Sequence, residues 1–424
     1  MAVAVGSVEQ LCREARQASR ALARTPTGVK DAALEAIAAA LEERLVEILE
    51  ANEHDMQAGR EAEIGDALLD RLKLDEGRVR AIAAAVRQIA ALGDPVGEVI
   101  DGQRLPNGLD VRKVRVPLGV VAVVYEARPN VTIDATALCL KSGNAIVLRG
   151  SSTARNSNDA LARIAADAAV LAGLPDGCVS LVAGGGREEL SELATQRETI
   201  DLIIPRGGES LKEALQAVAT VPVIYAASGN CHVYVDAAAE LQAALSIVLN
   251  AKLQRPGVCN AAETLLVHEA VAERFVPMAA AALSEAGVTL RADPRALELA
   301  VPAAGALAEP AAEEDWHTEY LGPTLAVRVV SSLAEALEHI DRYGSGHSEA
   351  IVTRDTAAAR AFQLGVDAAC VYVNASTRFT DGGEFGMGAE IGNSTQKLHA
   401  RGPIGLRELC TFKYLVEGDG HVRA

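Results

Sequence analysis

Short apolar runs alternate with segments of helical spacing between residues 119 and 226. The first run, residues 119–125 (GVVAVVY), is apolar without interruption, which is typical of a strand covered on both faces. The pattern predicts helices at 131–142, 156–172, 188–195 and 210–218, and further strands at 144–149, 179–183, 201–205 and 221–226. Because strands separated by helices pair in parallel through right-handed crossovers, this region predicts a parallel α/β sheet.

Length and charge limit the class of protein. A chain of 424 residues is too long for one ordinary core and predicts two or three domains. Its formal net charge of −17 argues against nucleic acid or an anionic membrane as a partner. Seven cysteines without CxxC or zinc spacing predict a reduced, cytoplasmic protein that holds no structural metal. We expect neither a signal peptide nor a membrane span.

The regions before this sheet have patterns of their own. Residues 8–92 predict helices, with one apolar face formed by Leu34, Ile37, Leu41, Leu45 and Ile48. Further on, Asn107-Gly108 lies between strand-like residues and predicts a β-hairpin. A hairpin with few apolar residues must pack on something else, either the surface of its own domain or a neighbouring subunit.

Glycine-bearing loops follow three of the predicted strands, at residues 150–152, 184–186 and 206–208. Parallel sheets bind ligands beyond the carboxyl ends of their strands, and glycine lets the backbone approach a phosphate. None of the loops is a clean GxGxxG, so plain turns are an equally good interpretation.

One cysteine stands apart by its position. Cys259 follows a Pro-Gly turn in the segment 254–260 (QRPGVCN), between a predicted helix at 241–254 and a predicted strand at 263–268. A loop held between two regular elements can position a reactive side chain. The alternative is a buried, inert thiol, since free cysteine is among the most buried residue types.

Residues 254–260 resemble the active-site segment of the aldehyde dehydrogenase superfamily, in particular of the branch that reduces L-glutamyl 5-phosphate. The resemblance covers nearly the whole chain in the family's order. It implies an α/β, aldehyde dehydrogenase-like fold with a Rossmann-type parallel sheet in the cofactor domain, an α/β catalytic domain and a small β arm. The implied bounds are 1–100 and 118–232 for the cofactor-binding domain, 233–395 for the catalytic domain, and 101–117 and 396–424 for the oligomerisation arm.

The resemblance assigns the chemistry to named residues. Cys259 would attack the substrate carbonyl as a thiolate, and its backbone N–H with the amide of Asn130 would hold the oxyanion. Without the family, Asn130 would be interpreted as the N-cap of the following helix. Arg255 could hold the departing phosphate, and pairing with a surface carboxylate is an equally good interpretation.

A missing residue is equally informative. Hydrolytic aldehyde dehydrogenases carry a glutamate that activates water at the position which aligns with Ala226. Alanine cannot accept a proton, and loss of a general base typically costs ~10²–10⁴ in rate. A thioester formed here should therefore resist hydrolysis, unless another base, such as Glu126, replaces the missing one.

The resemblance also implies a nicotinamide cofactor. Arg149 ends a predicted strand near the adenosine ribose, and Ser152 stands where NAD-preferring relatives often carry a carboxylate. A cation with small hydroxyls suits a 2′-phosphate, so we expect NADP(H), with a surface role for Arg149 as the alternative. Glu319, in an ExxGP match, would bind the nicotinamide ribose. The remaining predicted cofactor contacts are Ser151, Gly185, Gly207 and Gly208.

Three further assignments concern the C-terminal part. Glu349 and Asn374 would contact the amino acid end of a glutamyl group, with a surface acid and a turn asparagine as the simpler interpretations. Residues 383–392 resemble the family's glycine-rich loop under the nicotinamide. Residues 409–416 predict a strand with Cys410, Phe412 and Tyr414 on one face, which would extend an intersubunit sheet.

Together these features imply an NADPH-dependent reductase that converts L-glutamyl 5-phosphate to L-glutamate 5-semialdehyde and phosphate, in proline biosynthesis. They also imply a homo-oligomer and functional coupling to glutamate 5-kinase. Two alternatives stay open: an aldehyde-oxidising or other acylating dehydrogenase of the same superfamily, and a non-catalytic binding subunit that kept the fold.

Overall fold

A computed structural model describes residues 7–184, 186–225 and 228–423. The chain divides into two compact units. The first comprises the chain up to Tyr225, Gly386–Gly392 and the segment from Ile404 onward, and the second comprises the rest. Which unit binds a cofactor and which carries the catalytic residues stays a prediction.

Helices and strands of the first unit are α1 Val8–Leu22, α2 Thr27–Glu43, α3 Leu45–Glu61, α4 Asp66–Leu72, α5 Glu76–Ala91, β1 Val99–Arg104, β2 Asp110–Pro117, β3 Val120–Tyr125, α6 Asn130–Lys141, β4 Ala145–Arg149, α7 Arg155–Leu171, β5 Val179–Leu181, α8 Arg187–Ala194, β6 Leu202–Arg206 and α9 Glu209–Val218. Those of the second unit are β7 Cys231–Val235, α10 Leu241–Leu253, β8 Ala262–His268, α11 Glu269–Glu285, β9 Thr289–Ala292, α12 Pro294–Ala304, β10 Ala308–Pro310, β11 Thr324–Val330, α13 Leu333–Tyr343, β12 Ser348–Val352, α14 Thr356–Gly365, β13 Cys370–Val373, β14 Asn393–Ser394 and β15 Gly402–Pro403. The chain then returns to the first unit for β16, Cys410–Glu417. No described helix combines the length and the apolar composition that crossing a bilayer requires.

The first unit contains the predicted parallel sheet, with strand order β5-β4-β3-β6. All six residues of β3 are buried, as its uninterrupted apolar run predicted. The predicted strand at 221–226 is wrong for its described residues, since only Val223 forms an isolated bridge, to Ile203. Pro222 has no N–H to donate, so it cannot continue a ladder of strand hydrogen bonds.

The predicted N-terminal helices are confirmed, but the predicted apolar face belongs to two helices. Helix α2 ends at Glu43 and α3 begins at Leu45, with Arg44 between them in a non-helical conformation. Leu41 and Ile48 are both buried, whereas Leu45 is partly exposed. The apolar residues keep their helical spacing from α2 into α3, so the spacing alone does not reveal the break at Arg44.

The predicted hairpin is confirmed as β1 and β2, which pair antiparallel with Gly108 at φ 92° in their turn. Strand β16 pairs antiparallel with β2 and completes a three-stranded sheet. Cys410 is buried, but Phe412 and Tyr414 are 45% and 60% exposed. This sheet leaves large apolar side chains in solvent, and its predicted role in oligomerisation stays a prediction.

The second unit is built on a parallel seven-stranded sheet of order β10-β9-β11-β8-β7-β12-β13. Helices α10, α11 and α12 cover one face, against side chains such as Val233 and Val352. Helices α13 and α14 cover the other, against Tyr234 and Ile351. Successive side chains of a strand point to opposite faces of the sheet. Alternate residues of each strand therefore pack against different sets of helices.

A buried ion pair joins α10 to β8 on either side of the Cys259 loop. Lys252 Nζ lies 2.5 Å from Glu263 Oε2, and both side chains are fully buried. Burial raises the pKa of Glu263 to about 7, although the Lys252 charge opposes that rise. Burial likewise lowers the pKa of Lys252. The two side chains stabilise each other, because removing either one would leave the charge of the other buried without a partner.

We expect Lys252→Met to lower the free energy of unfolding by roughly 3–5 kcal/mol, because it leaves the Glu263 carboxyl buried without its cation. Arg291→Met is the matched control, since the Arg291–Glu309 pair is 38% and 44% exposed and should contribute less than about 1 kcal/mol. Urea unfolding of both variants measures the difference. Equal losses in the two variants would contradict a special role for the buried pair.

Candidate active site

The Cys259 thiol is the accessible one among the seven cysteines, all of which lie in the described part of the chain and form no disulfide there. Cys259 is partly exposed in the connection between α10 and β8, whereas the other six thiols are buried. A buried, inert thiol, the alternative left open by the sequence, does not fit this position. The accessible thiol therefore lies in the segment that the sequence singled out.

Burial makes several of the other thiols poor nucleophiles. It raises the pKa of Cys12, Cys178 and Cys410 to about 12, and it also raises the pKa of Cys139. The pKa of Cys231 rises for the same reason and because of the nearby Glu349 charge. Since the thiolate is the attacking form, these cysteines are suited to packing and not to reaction.

The Cys259 backbone packs directly on Gly229. A Cβ at Gly229 would lie 1.7 Å from the Cys259 carbonyl oxygen, so only glycine fits there. The Gly229 N–H donates to Glu319 Oε1 at 2.7 Å, and the Cys231 thiol donates to the Cys259 carbonyl at 3.2 Å. Glu319, predicted to bind the nicotinamide ribose, is thus tied to the cysteine loop through Gly229.

A second set of contacts holds the other side of the loop. Asn260 Nδ2 donates to the Thr380 carbonyl at 2.9 Å, and Thr377 Oγ1 donates to the Asn260 carbonyl at 2.7 Å. Arg378 Nε donates to Gln254 Oε1 at 2.8 Å. The short 3₁₀ turn Thr377–Phe379 is therefore fastened to both ends of the segment 254–260. Sequence reasoning missed this turn, because nothing in its residues marks it.

Arg255 and Arg378 are two cations close to Cys259. Within the described residues, neither side chain forms an ion pair, so the alternative of Arg255 pairing with a surface carboxylate is not observed. Burial lowers the pKa of Arg378, and the positive charge of Arg255 lowers it further, while the charges of Cys259 and Asp381 act in the opposite direction. Positive charge is thus concentrated beside the thiol.

Asn130 is the first residue of α6, and Pro129 precedes it at the N-cap position. The N-cap interpretation of Asn130 is therefore wrong. Its Nδ2 donates to Asp134 Oδ2 at 2.9 Å, which orients the amide and leaves its second N–H for another acceptor. Burial raises the pKa of Asp134 to about 6, although the Asn130 hydrogen bond opposes that rise.

Five of the predicted cofactor residues, Arg149, Ser151, Ser152, Gly207 and Gly208, lie at or just after the carboxyl ends of β4 and β6 in the first unit. Arg149 ends β4, is only 7% exposed and donates from Nη2 to the Gly186 carbonyl at 2.7 Å, so it is not a surface cation. Burial lowers the pKa of Arg149, whereas the Glu189 charge raises it. Ser151 Oγ is buried and has no hydrogen-bond partner among the described residues, and Ser152 begins a 3₁₀ turn. Gly185 lies outside the described residues.

Gly207 and Gly208 precede α9, and a carboxylate already caps that helix. Glu126 Oε2 accepts from the Gly208 N–H at 3.0 Å. A Cβ at Gly207 would lie 2.7 Å from atoms of both Glu126 and Leu211, so glycine is required by close packing. The alternative of Glu126 as a general base finds no support in this contact. Ala226, the position of the missing glutamate, lies outside the described residues.

Glu349 and Asn374, predicted to contact substrate, are both engaged within the second unit. Glu349 Oε2 accepts from His232 Nδ1 at 2.9 Å, and Glu349 is fully buried, so it is not a surface acid. Along β12, the Glu349 side chain points to the same face of the sheet as Ile351, the face that α13 and α14 cover. Asn374 has φ 56° and bonds with both ends of its amide to the Thr353 backbone, as a turn asparagine does. The geometry supports a substrate contact for neither residue.

Residues 383–392 divide between the units. Gly386–Gly392 belongs to the first unit, and the residues up to Phe385 belong to the second. Gly392 has φ 149°, and a Cβ there would meet the Arg206 guanidinium. Within the described residues, no group of three or more His, Cys, Asp or Glu side chains is arranged to hold a metal ion.

These features define a two-unit α/β protein that has a parallel sheet in each unit and an accessible cysteine in the second. The chain belongs to the aldehyde dehydrogenase family, whose family model matches residues 2–297 and 307–413.

The relatives most similar to the chain among those compared below share one name within this family. The chain is 57% identical over 411 residues to a gamma-glutamyl phosphate reductase of Moorella thermoacetica, which covers 97% of both chains. It is 55% identical over 416 residues to the gamma-glutamyl phosphate reductase of Thermobifida fusca, covering 98% of both. The crystal structure of gamma-glutamyl phosphate reductase from Thermotoga maritima superposes with a TM-score of 0.95 at 45% identity, covering 99% of this chain and 100% of that one.

We expect iodoacetamide to label Cys259 at least about tenfold faster than Cys12 or Cys410 in the folded protein, because burial keeps the latter two protonated. Mass spectrometry of the labelled peptides over time measures the three rates. Unfolding in urea should bring the rates together, which controls for the local sequence. Similar rates in the folded protein would contradict the exposure and pKa argument.

Gly229→Ala should abolish the fast labelling of Cys259, because the added Cβ would overlap the Cys259 carbonyl and displace the loop. Gly28→Ala is the control, since a Cβ at Gly28 meets no atom within 4 Å. If Gly229→Ala folds and keeps the wild-type labelling rate, the contact does not position the thiol.

Proposed function

We propose that the protein reduces L-glutamyl 5-phosphate to L-glutamate 5-semialdehyde and phosphate with NADPH, through a thioester on Cys259, as the second step of proline biosynthesis from glutamate. The names of its relatives support the substrate and the overall reaction. The observation that carries the catalytic assignment is the single accessible thiol, held in a loop fastened on both sides.

In the first step, the Cys259 thiolate attacks the acyl phosphate carbonyl. A C–S bond forms, the bond from carbon to the phosphate oxygen breaks, and the phosphate leaves with the electron pair. The leaving group is already an anion, so this step needs no proton. Arg255 is placed to attract that phosphate, because it lies in the same segment as the thiol and has no ion-pair partner within the described residues.

Negative charge develops on the carbonyl oxygen during the attack. The backbone N–H of Cys259 is one proposed donor to it, and the family resemblance assigns the side-chain amide of Asn130 as the other. Asp134 acts as a positioning residue, since its carboxylate accepts one N–H of Asn130 and so orients the amide. Each preorganised donor of this kind is worth roughly 3–4 kcal/mol.

The thioester must survive until it is reduced. No glutamate occurs between residues 213 and 240, and the position that the family resemblance assigns to the hydrolytic base is alanine, Ala226. Glu126 accepts a hydrogen bond from the Gly208 N–H, a contact that does not support a role for it as a substitute base. Without a base to activate water, hydrolysis is slow and the acyl group remains available for reduction.

NADPH, when bound, supplies the hydride that reduces the thioester carbon. The C–S bond then breaks, which releases the aldehyde and returns Cys259 as a thiolate. We propose that Arg149, Ser151 and Ser152 hold the adenosine end, with Gly185, Gly207 and Gly208 lining the nucleotide and Glu319 binding the nicotinamide ribose. The buried Ser151 hydroxyl, which lacks a partner among the described residues, supports a bound polar ligand at this edge. The Arg149 cation and the serine at 152 favour a 2′-phosphate over a free hydroxyl.

Assembly and location follow from the same features. The exposed apolar side chains of the β1-β2-β16 sheet support homo-oligomerisation through that sheet. The lack of disulfides among the seven cysteines, all of them described, supports the cytoplasm as the compartment. Functional coupling to glutamate 5-kinase is proposed from chemistry alone, because an acyl phosphate is short-lived in water and its producer is best placed nearby.

Cys259→Ala should reduce turnover to below about one thousandth of wild type, because the acyl acceptor is lost. The assay follows NADPH formation in the reverse direction, from pyrroline-5-carboxylate, NADP⁺ and phosphate. In the wild type this formation should require phosphate. NADPH formation without phosphate would indicate oxidation to the free acid, and full activity of Cys259→Ala would indicate a non-catalytic cysteine.

Ala226→Glu should introduce phosphate-independent NADPH formation at least about tenfold above the wild-type background, since a carboxylate there can activate water. Ala226→Gln is the matched control, because its amide has the same shape and cannot accept the proton. Equal phosphate-independent rates in the two variants would contradict the proposed reason for thioester survival.

A further inference from the structure

We infer that Arg378 binds the phosphoryl group of the substrate and, together with Arg255, forms an anion site beside Cys259. The inference rests on the proposed function and adds to it the residue that recognises the leaving group. Arg378 lies on the turn Thr377–Phe379, which shows no motif in the sequence and is remote from the cysteine segment along the chain.

The turn is attached so that the Arg378 guanidinium is held in place. Its Nε donates to Gln254, at one end of the cysteine segment, and its backbone carbonyl accepts from Asn260, at the other end. Nη1 and Nη2 have no hydrogen-bond or ion-pair partner among the described residues. An arginine anchored through Nε presents the other two nitrogens as a pair, which is the arrangement that binds phosphate oxygens bidentately.

The charge distribution indicates an anionic ligand. The chain carries 57 acidic and 40 basic residues, so carboxylates are available to pair with most cations. Arg255 and Arg378 nevertheless lie near each other, and within the described residues neither forms an ion pair. Asp381 is the acidic group whose charge reaches Arg378, and it does not approach within ion-pair distance. Two like charges left together cost free energy that a bound dianion would recover.

Electrostatics at Arg378 are consistent with this geometry. Burial lowers the pKa of Arg378 and the Arg255 charge lowers it further, so the guanidinium is partly desolvated and repelled by its neighbour. A phosphate bound between the two arginines would reverse both effects. It would also place its bridging oxygen toward the Cys259 side, where the carbon–oxygen bond of the acyl phosphate breaks.

In the reaction, Arg378 would act on the leaving group. As the carbon–oxygen bond breaks, its electron pair and negative charge pass to the phosphate, and the two guanidinium groups stabilise that charge without transferring a proton. In reverse, the same site would hold inorganic phosphate for attack on the thioester carbonyl. The Michaelis constant for phosphate is therefore the quantity that should respond to Arg378.

The experiment compares Arg378→Gln, Arg378→Lys and the control Arg360→Gln in the phosphate-dependent reverse assay. Arg360 is exposed on α14, on the other face of the sheet from α10. We expect Arg378→Gln to raise KM for phosphate about tenfold or more, with KM for NADP⁺ and pyrroline-5-carboxylate changed less than about twofold. Arg378→Lys should recover part of the loss, and Arg360→Gln should match the wild type.

A second measurement does not depend on turnover. Inorganic phosphate should slow the alkylation of Cys259 by iodoacetamide in the wild type and in Arg360→Gln, because the bound anion shields the thiol and opposes its ionisation. In Arg378→Gln the protection should be lost, or should require about tenfold more phosphate. This measurement also applies if a variant is catalytically dead but still folded.

The outcomes separate this inference from the proposed function. If Arg378→Gln keeps the wild-type KM for phosphate and the wild-type protection, the inference is overturned while phosphate-dependent chemistry at Cys259 stands. A fall in kcat alone, with unchanged phosphate dependence, would also overturn it, since it would indicate only a structural role for the turn. If the wild-type reaction does not require phosphate at all, the proposed function itself fails.

Discussion

The contact between Gly229 and the backbone of Cys259 is the constraint on which the candidate site depends. Because a glycine occupies 229, the start of β7 can approach the cysteine loop closely enough to leave no room for a Cβ. The same glycine's N–H binds Glu319, so one residue aligns the loop, the strand and a carboxylate. A loop held by backbone contacts presents its side chain in one place, which is what preorganised catalysis requires.

Two pairs of charged side chains lie around the segment that joins α10 to β8, and they differ in how their charges are balanced. Lys252 and Glu263 are fully buried and neutralise each other, which ties the helix to the strand. Arg255, three residues after Lys252, and Arg378, on the turn bonded to Gln254, form no ion pair within the described part of the chain. The first pair neutralises its own charges inside the fold, whereas the proposed role of the second is to bind an anionic group. Separating these two roles would let an acidic protein attract an anionic substrate locally.

Asn130 and Glu349 show how far local interpretation can mislead. In the sequence, Asn130 stands just before a predicted helix and is a residue type that is common at the N-cap. In the structure it is the first residue of that helix, and its side chain donates to Asp134. Glu349 is a residue type that is usually exposed, yet it is buried and hydrogen-bonded to His232. In both cases the side chain's partner lies on the same or an adjacent element, and only the packed structure selects it among several polar neighbours.

The sequence by itself determined most of the elements around the site: the parallel sheet around β3, the hairpin at Asn107-Gly108 and the loop position of Cys259. Periodicity, turn residues and family resemblance depend on residues that are close together or in a fixed order along the chain, so they can be recognised in the sequence. The tertiary structure alone decided that Arg378 lies beside Gln254, 124 residues earlier, that Gly229 supports Cys259, and that the strand predicted at 221–226 is not formed over its described residues. Contacts between distant residues leave no period in the sequence, because they arise only when packing brings separate elements together.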